Sequence, residues 1–183
     1  MSKWCGAGGW RLGHFIIPNE LKKLRNSMKV LASETFTSVS APIQHAAVVA
    51  YEKDMSKYIN SSRNILKNVG EYVYNNLQSN KVLINKPQGG FYLMPEFLDK
   101  KYKSSEEMCT DLLNNTGVAL LPGSDFGFSK NKMIARLSFI DFNGKEFMEN
   151  FQSDKNIKVE DIEKFAPKII EGTKRLKVWA ESS

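Results

Sequence analysis

Lys3, Arg11 and Arg136 are the residues of this chain whose type and setting could carry chemistry. Lys3 is followed by the glycine-rich run Gly6-Ala7-Gly8-Gly9, and Arg11 stands eight positions after the lysine. A lysine amine attacks carbonyl carbons once it is neutral, and desolvation or a neighbouring cation brings that about. A guanidinium offers paired N–H donors that match the oxygens of a phosphate or a carboxylate, where an ammonium offers only a point charge. Glycines let a backbone approach a ligand closely. Arg136 is the single charge in the apolar run Ile134-Ala135-Arg136-Leu137-Ser138-Phe139, and a charge in such a setting needs a partner. Taken one at a time, the three residues also fit an ordinary exposed lysine and two arginines in structural salt bridges. His14, His45, Cys5 and Cys109 are assigned to packing, and without clustered ligands no structural zinc is expected.

The elements that must position these residues follow from apolar period and punctuation. Residues 10–17 read as a strand ended by Pro18. Asn19 reads as the N-cap of a helix from Glu20 to about Leu31, with Leu21, Leu24, Met28 and Leu31 on one face. Residues 38–42 are a break. An alanine-rich helix runs from Ile43 to about Glu52, and a longer one starts at Asp54 or Ser56 and reaches Leu77. Beyond Asn80 the period shortens, and strands are expected at residues 82–84, 90–95, 118–121 and 133–140. Ser104, with Glu107 three residues on, opens a helix that stops near Gly117. A final helix runs from near Val159 toward Trp179, loosened at Pro167 and Gly172. The expected fold class is α/β, in the form of an α+β domain whose helices cover a small sheet.

Composition sets the bounds. A chain of 183 residues with 42% hydrophobic residues supports one domain with a sizeable core, possessing at most an appended segment. Charged residues at 25% and aromatics at 11% exclude wholesale disorder. No apolar run approaches the ~20 residues of a membrane span, and Met1-Ser2-Lys3-Trp4 does not open a signal peptide. The net charge of +6 comes from lysines scattered along the chain, which argues for solvated helix faces rather than a nucleic-acid surface. Two cysteines far apart fit a reduced, cytoplasmic protein.

A family resemblance joins these signals. Ser2-Lys3 followed by Gly9-Trp10-Arg11-Leu12-Gly13 resembles the signature around the cofactor lysine of class I/II, fold-type I aminotransferases, which use pyridoxal 5′-phosphate. Pro42-Ile43-Gln44 resembles the segment after the family's first helix. Pro87-Gln88-Gly89-Gly90-Phe91-Tyr92 is similar to its P-x-G-G-F-Y strand. Gly117-Val118 through Pro122-Gly123-Ser124-Asp125-Phe126-Gly127 is similar to its G-V-x-x-x-P-G-x-x-F-G loop. Arg136-Leu137-Ser138-Phe139 resembles the strand that bears the substrate-carboxylate arginine. Each motif is weak alone, and their common order over residues 2–140 is what makes the resemblance specific.

The resemblance implies that Lys3 holds the cofactor through its amine and later moves a proton at the substrate α-carbon. It implies that Arg11 grips the cofactor phosphate, that Ser2 reaches the phosphate region, and that Arg136 clamps the substrate α-carboxylate. Gly123 and its turn are then structural, and Phe91 and Tyr92 are core. An amino acid and a 2-oxo acid are the implied substrates, with a homodimer as the assembly and neither nucleic acid nor membrane as a partner. Only Met1 and Ser2 precede Lys3, whereas the family places most of its cofactor pocket upstream of the lysine. The chain is therefore read as the C-terminal portion of such an enzyme, inactive in isolation. Residues 1–35 would be a remnant of the large domain with its connecting helix, and residues 36–183 the small domain. Two alternatives stand beside this. One is a pyridoxal-phosphate-dependent lyase or synthase of the same superfamily, similar to the aminocyclopropane-carboxylate synthases. The other is a non-catalytic folding or dimerisation module.

Overall fold

Ile65, Val69, Val73 and Leu77 recur at every fourth position, and that spacing puts them on one face of a helix. The helix, α3 (Ser56–Leu77), forms in the computed structural model, which describes residues 1–151 and 156–182. Asp54 opens it by accepting the Ser56 backbone N–H at 2.9 Å. Two compact units divide the chain, Met1–Ile59 and Asn60–Ser183.

The second unit holds the core. Its strands are β1 (Val82–Leu83), β2 (Tyr92–Leu93), β3 (Glu96–Phe97), β4 (Leu121–Pro122) and β5 (Ala135–Ser138). β1 pairs with β3, while β2, β5 and β4 lie side by side in that order, all antiparallel. Helix α4 (Ser105–Thr116) starts where the Ser104 hydroxyl accepts the Glu107 N–H at 3.3 Å, and it ends at Gly117, whose φ of 72° is left-handed. Helices α5 (Gly144–Asn150), α6 (Val159–Phe165) and α7 (Pro167–Glu181) complete the unit. Val69, Val73, Leu77, Phe97, Met108, Leu112, Phe139, Phe147 and Leu176 form its buried centre. Asp111 of α4 ties α7 to this centre by accepting from Trp179 Nε1 at 3.2 Å and from the Tyr102 hydroxyl at 2.6 Å. Burial and the Asp111 carboxylate together push the Tyr102 phenol up to about 12. Lys81 and Lys100 donate to the carbonyls of Glu181 and Ser182 at the end of α7, where the helix dipole favours cations.

The first unit is thinner. It contains short 3-10 turns at Gly8–Trp10 and Asn19–Leu21, then α1 (Lys22–Thr35) and α2 (Ala41–Glu52). Ala47 is its one buried hydrophobic residue among those described.

The small sheet covered by helices is the expected fold class, and α2, α3 and α4 form close to where the sequence puts them. Four expectations need correction. Residues 10–17 form no strand, because no neighbouring strand takes up their backbone groups; Phe15 and Ile16 are exposed. Asn19 does not cap α1, since it lies in a 3-10 turn and its side chain accepts from Arg25 instead. The last helix is two helices: Pro167 has no N–H to continue α6, so the chain breaks at Ala166 and restarts as α7, which then passes through Gly172 unbroken. Residues 118–120 run unpaired into a strand that begins only at Leu121, and β3 and α5 are elements the apolar period does not announce. No helix among the described residues is long and apolar enough to cross a membrane.

Candidate functional site

The sequence-predicted site residues fall in two places, one in each unit. Ser2 is half-buried, and Lys3 and Arg11 are exposed, all within the first unit. Arg11 has a φ of 50°, uncommon for a residue with a side chain. Its guanidinium donates to the Gly8 carbonyl at 3.3 Å, and its backbone N–H donates to the same oxygen at 3.4 Å. The glycine turn and the arginine therefore fold back on each other over four residues. Gly6 also has a positive φ, 65°, and a Cβ there would stand 2.8 Å from the Tyr58 hydroxyl.

Arg136 sits in the second unit, on the middle strand of the three-stranded sheet. Ala135 and Leu137 point into the core, so the alternation of a strand turns Arg136 to the other face. There its guanidinium carbon lies 4.5 Å from the Tyr92 ring centre and 4.2 Å from that of Phe126. No carboxylate among the described residues forms an ion pair with it. Aromatic faces, not an acid, accompany the charge. The salt-bridge reading of Arg136 is thus not what the fold builds.

The turn that carries Phe126 is fastened from below. The Ser124 hydroxyl donates to Glu106 Oε1 at 2.6 Å and receives the Ser105 hydroxyl at 3.2 Å. Hydrogen bonds from Ser124 and then Ser104 hold the Glu106 carboxyl down to about 2. Gly123 donates to the Ile134 carbonyl at 2.8 Å, and a Cβ on it would lie only 2.8 Å from that same oxygen. Gly123 is structural, as expected, for want of room.

Tyr92, expected in the core, is half-buried and faces the arginine. Phe126 is in the sequence no more than one position of a loop motif. The signal that finds Tyr92 is the register: it lies opposite Ser138, two residues from Arg136 on the same face. Packing accounts for Cys109, buried in the core with its thiol pushed up to about 11 chiefly by desolvation. It does not account for His14 and His45, which are exposed; His14 Nδ1 instead lies 3.2 Å from the Tyr51 hydroxyl.

Comparison with known families matches residues 1–141 to aminotransferase class I and II, and the chain belongs to that family. The match spans both units and includes the four residues that the sequence singles out, Ser2, Lys3, Arg11 and Arg136. The aspartate aminotransferase of Sulfolobus acidocaldarius is 32% identical over 145 residues, covering 75% of this chain and 34% of that protein. The chain thus spans about a third of the length of this curated relative. Among solved structures, an aspartate aminotransferase from Thermotoga maritima superposes with a TM-score of 0.68 at 25% identity, over 99% of this chain and 38% of that one. An alanine aminotransferase from Pyrococcus furiosus gives 0.69 at 26%, over 98% and 40%. The fold is therefore a part of an aminotransferase fold.

Proposed function

We propose that this chain is the C-terminal part of a pyridoxal-phosphate-dependent aminotransferase that moves an amino group from an L-amino acid to a 2-oxo acid. Membership of the family over a stretch that includes Ser2, Lys3, Arg11 and Arg136 carries this reading. The donor set of residues 2–11 suits the cofactor: an amine that condenses with an aldehyde, and a guanidinium with a glycine turn that suits a phosphate. When bound, pyridoxal phosphate supplies that aldehyde and a ring that withdraws electrons from the substrate α-carbon.

The chain's own residues have separate tasks. Lys3 would hold the cofactor through its amine and would serve as the base and acid at the substrate α-carbon. Arg11 neutralises the phosphate with paired N–H donors, and Ser2 adds a hydroxyl beside it. Arg136 takes the substrate carboxylate in its plane and so fixes the α-carbon's direction. Residues 1–35 belong on this reading to the large domain and residues 36–183 to the small domain. The enzyme works as a cytoplasmic homodimer, and the isolated chain, lacking most of the pocket, does not turn over.

The test is to incubate the chain with pyridoxal phosphate, reduce with borohydride, and map labelled lysines by peptide mass spectrometry. Label concentrated on Lys3, and lost in Arg11→Ala, is the expected result. Label spread evenly over the lysines overturns the reading of Lys3 and Arg11 as a selective site.

A further inference from the structure

We infer that Tyr92 is a positioning residue for Arg136: together with Phe126 it holds the guanidinium by its π face and leaves the N–H edge for a carboxylate. The inference rests on the reading of Arg136 as a carboxylate site given above. Three observations carry it, all within the second unit.

The first is where the strands place the side chains. Tyr92 pairs with Ser138 and Leu121 with Arg136, so Tyr92 and Arg136 are diagonal neighbours on one face of the sheet. An aromatic side chain reaches across such a diagonal, and here its ring centre comes within 4.5 Å of the guanidinium carbon.

The second is what the arginine leaves unspent. Stacking on rings attracts the cation without using any N–H donor. Arg136 forms no ion pair or side-chain hydrogen bond among the described residues, and no nitrogen of it is buried without a partner. Its donors therefore reach solvent. A planar, two-oxygen anion is the ligand that such an edge takes in bidentate fashion.

The third is that the second ring is not free to drift. Phe126 stands on a turn fixed at Ser124 by Glu106 and at Gly123 by the Ile134 carbonyl. Tyr92 is fixed by its strand. An arginine has four flexible torsions, and two anchored rings remove much of that freedom before a ligand arrives.

The experiment uses the 183-residue chain labelled with 15N, following the Arg136 Nε–Hε resonance while sodium 2-oxoglutarate is added. In the free chain the resonance should be displaced upfield by the rings, and in Tyr92→Leu that displacement should shrink. Addition of 2-oxoglutarate should shift it, with binding weakened about 3- to 10-fold in Tyr92→Leu and unchanged in Tyr92→Phe, which keeps the ring. If Tyr92→Leu does not fold, Phe126→Leu, on a half-exposed turn, is expected to weaken binding to a similar degree. Binding that is equal in wild type and in the leucine variants overturns the positioning role alone. An Arg136 resonance that no concentration of 2-oxoglutarate moves in the wild type overturns the carboxylate reading, and the inference with it.

Discussion

Glu106 illustrates how one side chain can bear on a site it does not enter. Its carboxylate accepts the Ser124 hydroxyl at 2.6 Å, and Ser124 lies two residues before Phe126 in the turn against Arg136. The bond favours the charged carboxylate, which is why the group titrates at about 2 rather than at its ordinary 4.5. A pKa lowered by folding means that the unfolded chain takes up the proton first as pH falls. The stabilisation is therefore complete at neutral pH and is lost between about pH 4.5 and about pH 2. Glu106→Gln is expected to lower the urea midpoint at pH 7, with the gap to wild type closing as pH drops toward 2. A gap that stays constant across that range would show that the charge contributes nothing. At this scale the sequence was partly legible. Arg136 stood out because one charge in an apolar run is anomalous. Its aromatic neighbours did not, because which residues share a face depends on register, and register is a property of paired strands.

Elements with local causes were the legible ones. Ser104 with Glu107, the stop at Gly117 and the every-fourth-residue face of α3 are each written within a few residues. The strand expected at residues 10–17 failed for the opposite reason, since a strand's hydrogen bonds belong to a neighbour and none takes them up here. The short β3 and β4 also owe their bounds to β1 and β5 rather than to their own sequence. Packing between elements sets a further constraint at Gly70 in α3. A Cβ there would lie 2.9 Å from Cζ of Phe139, a ring that is itself 1% exposed and enclosed by the core. Two effects of Gly70→Ala oppose each other. Alanine favours the helix by up to ~1 kcal/mol, while overpacking a filled core costs about 1–3 kcal/mol. The ring has no solvent to swing into, so overpacking should win. Thermal or urea unfolding is expected to show a net loss of about 1–2 kcal/mol; a stabilised variant would mean that Phe139 can move aside.

The two units differ at the scale of the whole molecule. The second encloses Phe97, Phe139, Phe147 and Leu176 almost completely, whereas the first buries Ala47 alone among its described hydrophobic residues. Leu24 and Leu31 fall on one side of α1, as the helical period requires, and both remain about half exposed or more, as does Leu21 just before the helix. Phe15, Ile16 and Phe36 are more exposed still. Leu24 and Leu31 share one exposed side of α1, and an uncovered apolar helix face of that kind marks an interaction surface. The isolated chain is therefore expected to self-associate through its first unit, in a manner that depends on concentration. Light scattering over a dilution series reads this as a mass that falls toward the monomer value as the chain is diluted. The net charge of +6 works against association at low salt, so its screening by sodium chloride should also raise the mass. Salt alone consequently does not distinguish apolar contact from relieved repulsion. The double substitution Leu24→Lys and Leu31→Lys does, because it removes apolar area from α1 without touching the buried core of the second unit. It should leave a monomer at every concentration and at high salt. A wild-type chain that is already monomeric throughout, or a variant that associates as strongly as the wild type, would show that the exposed face of α1 is not what brings copies together.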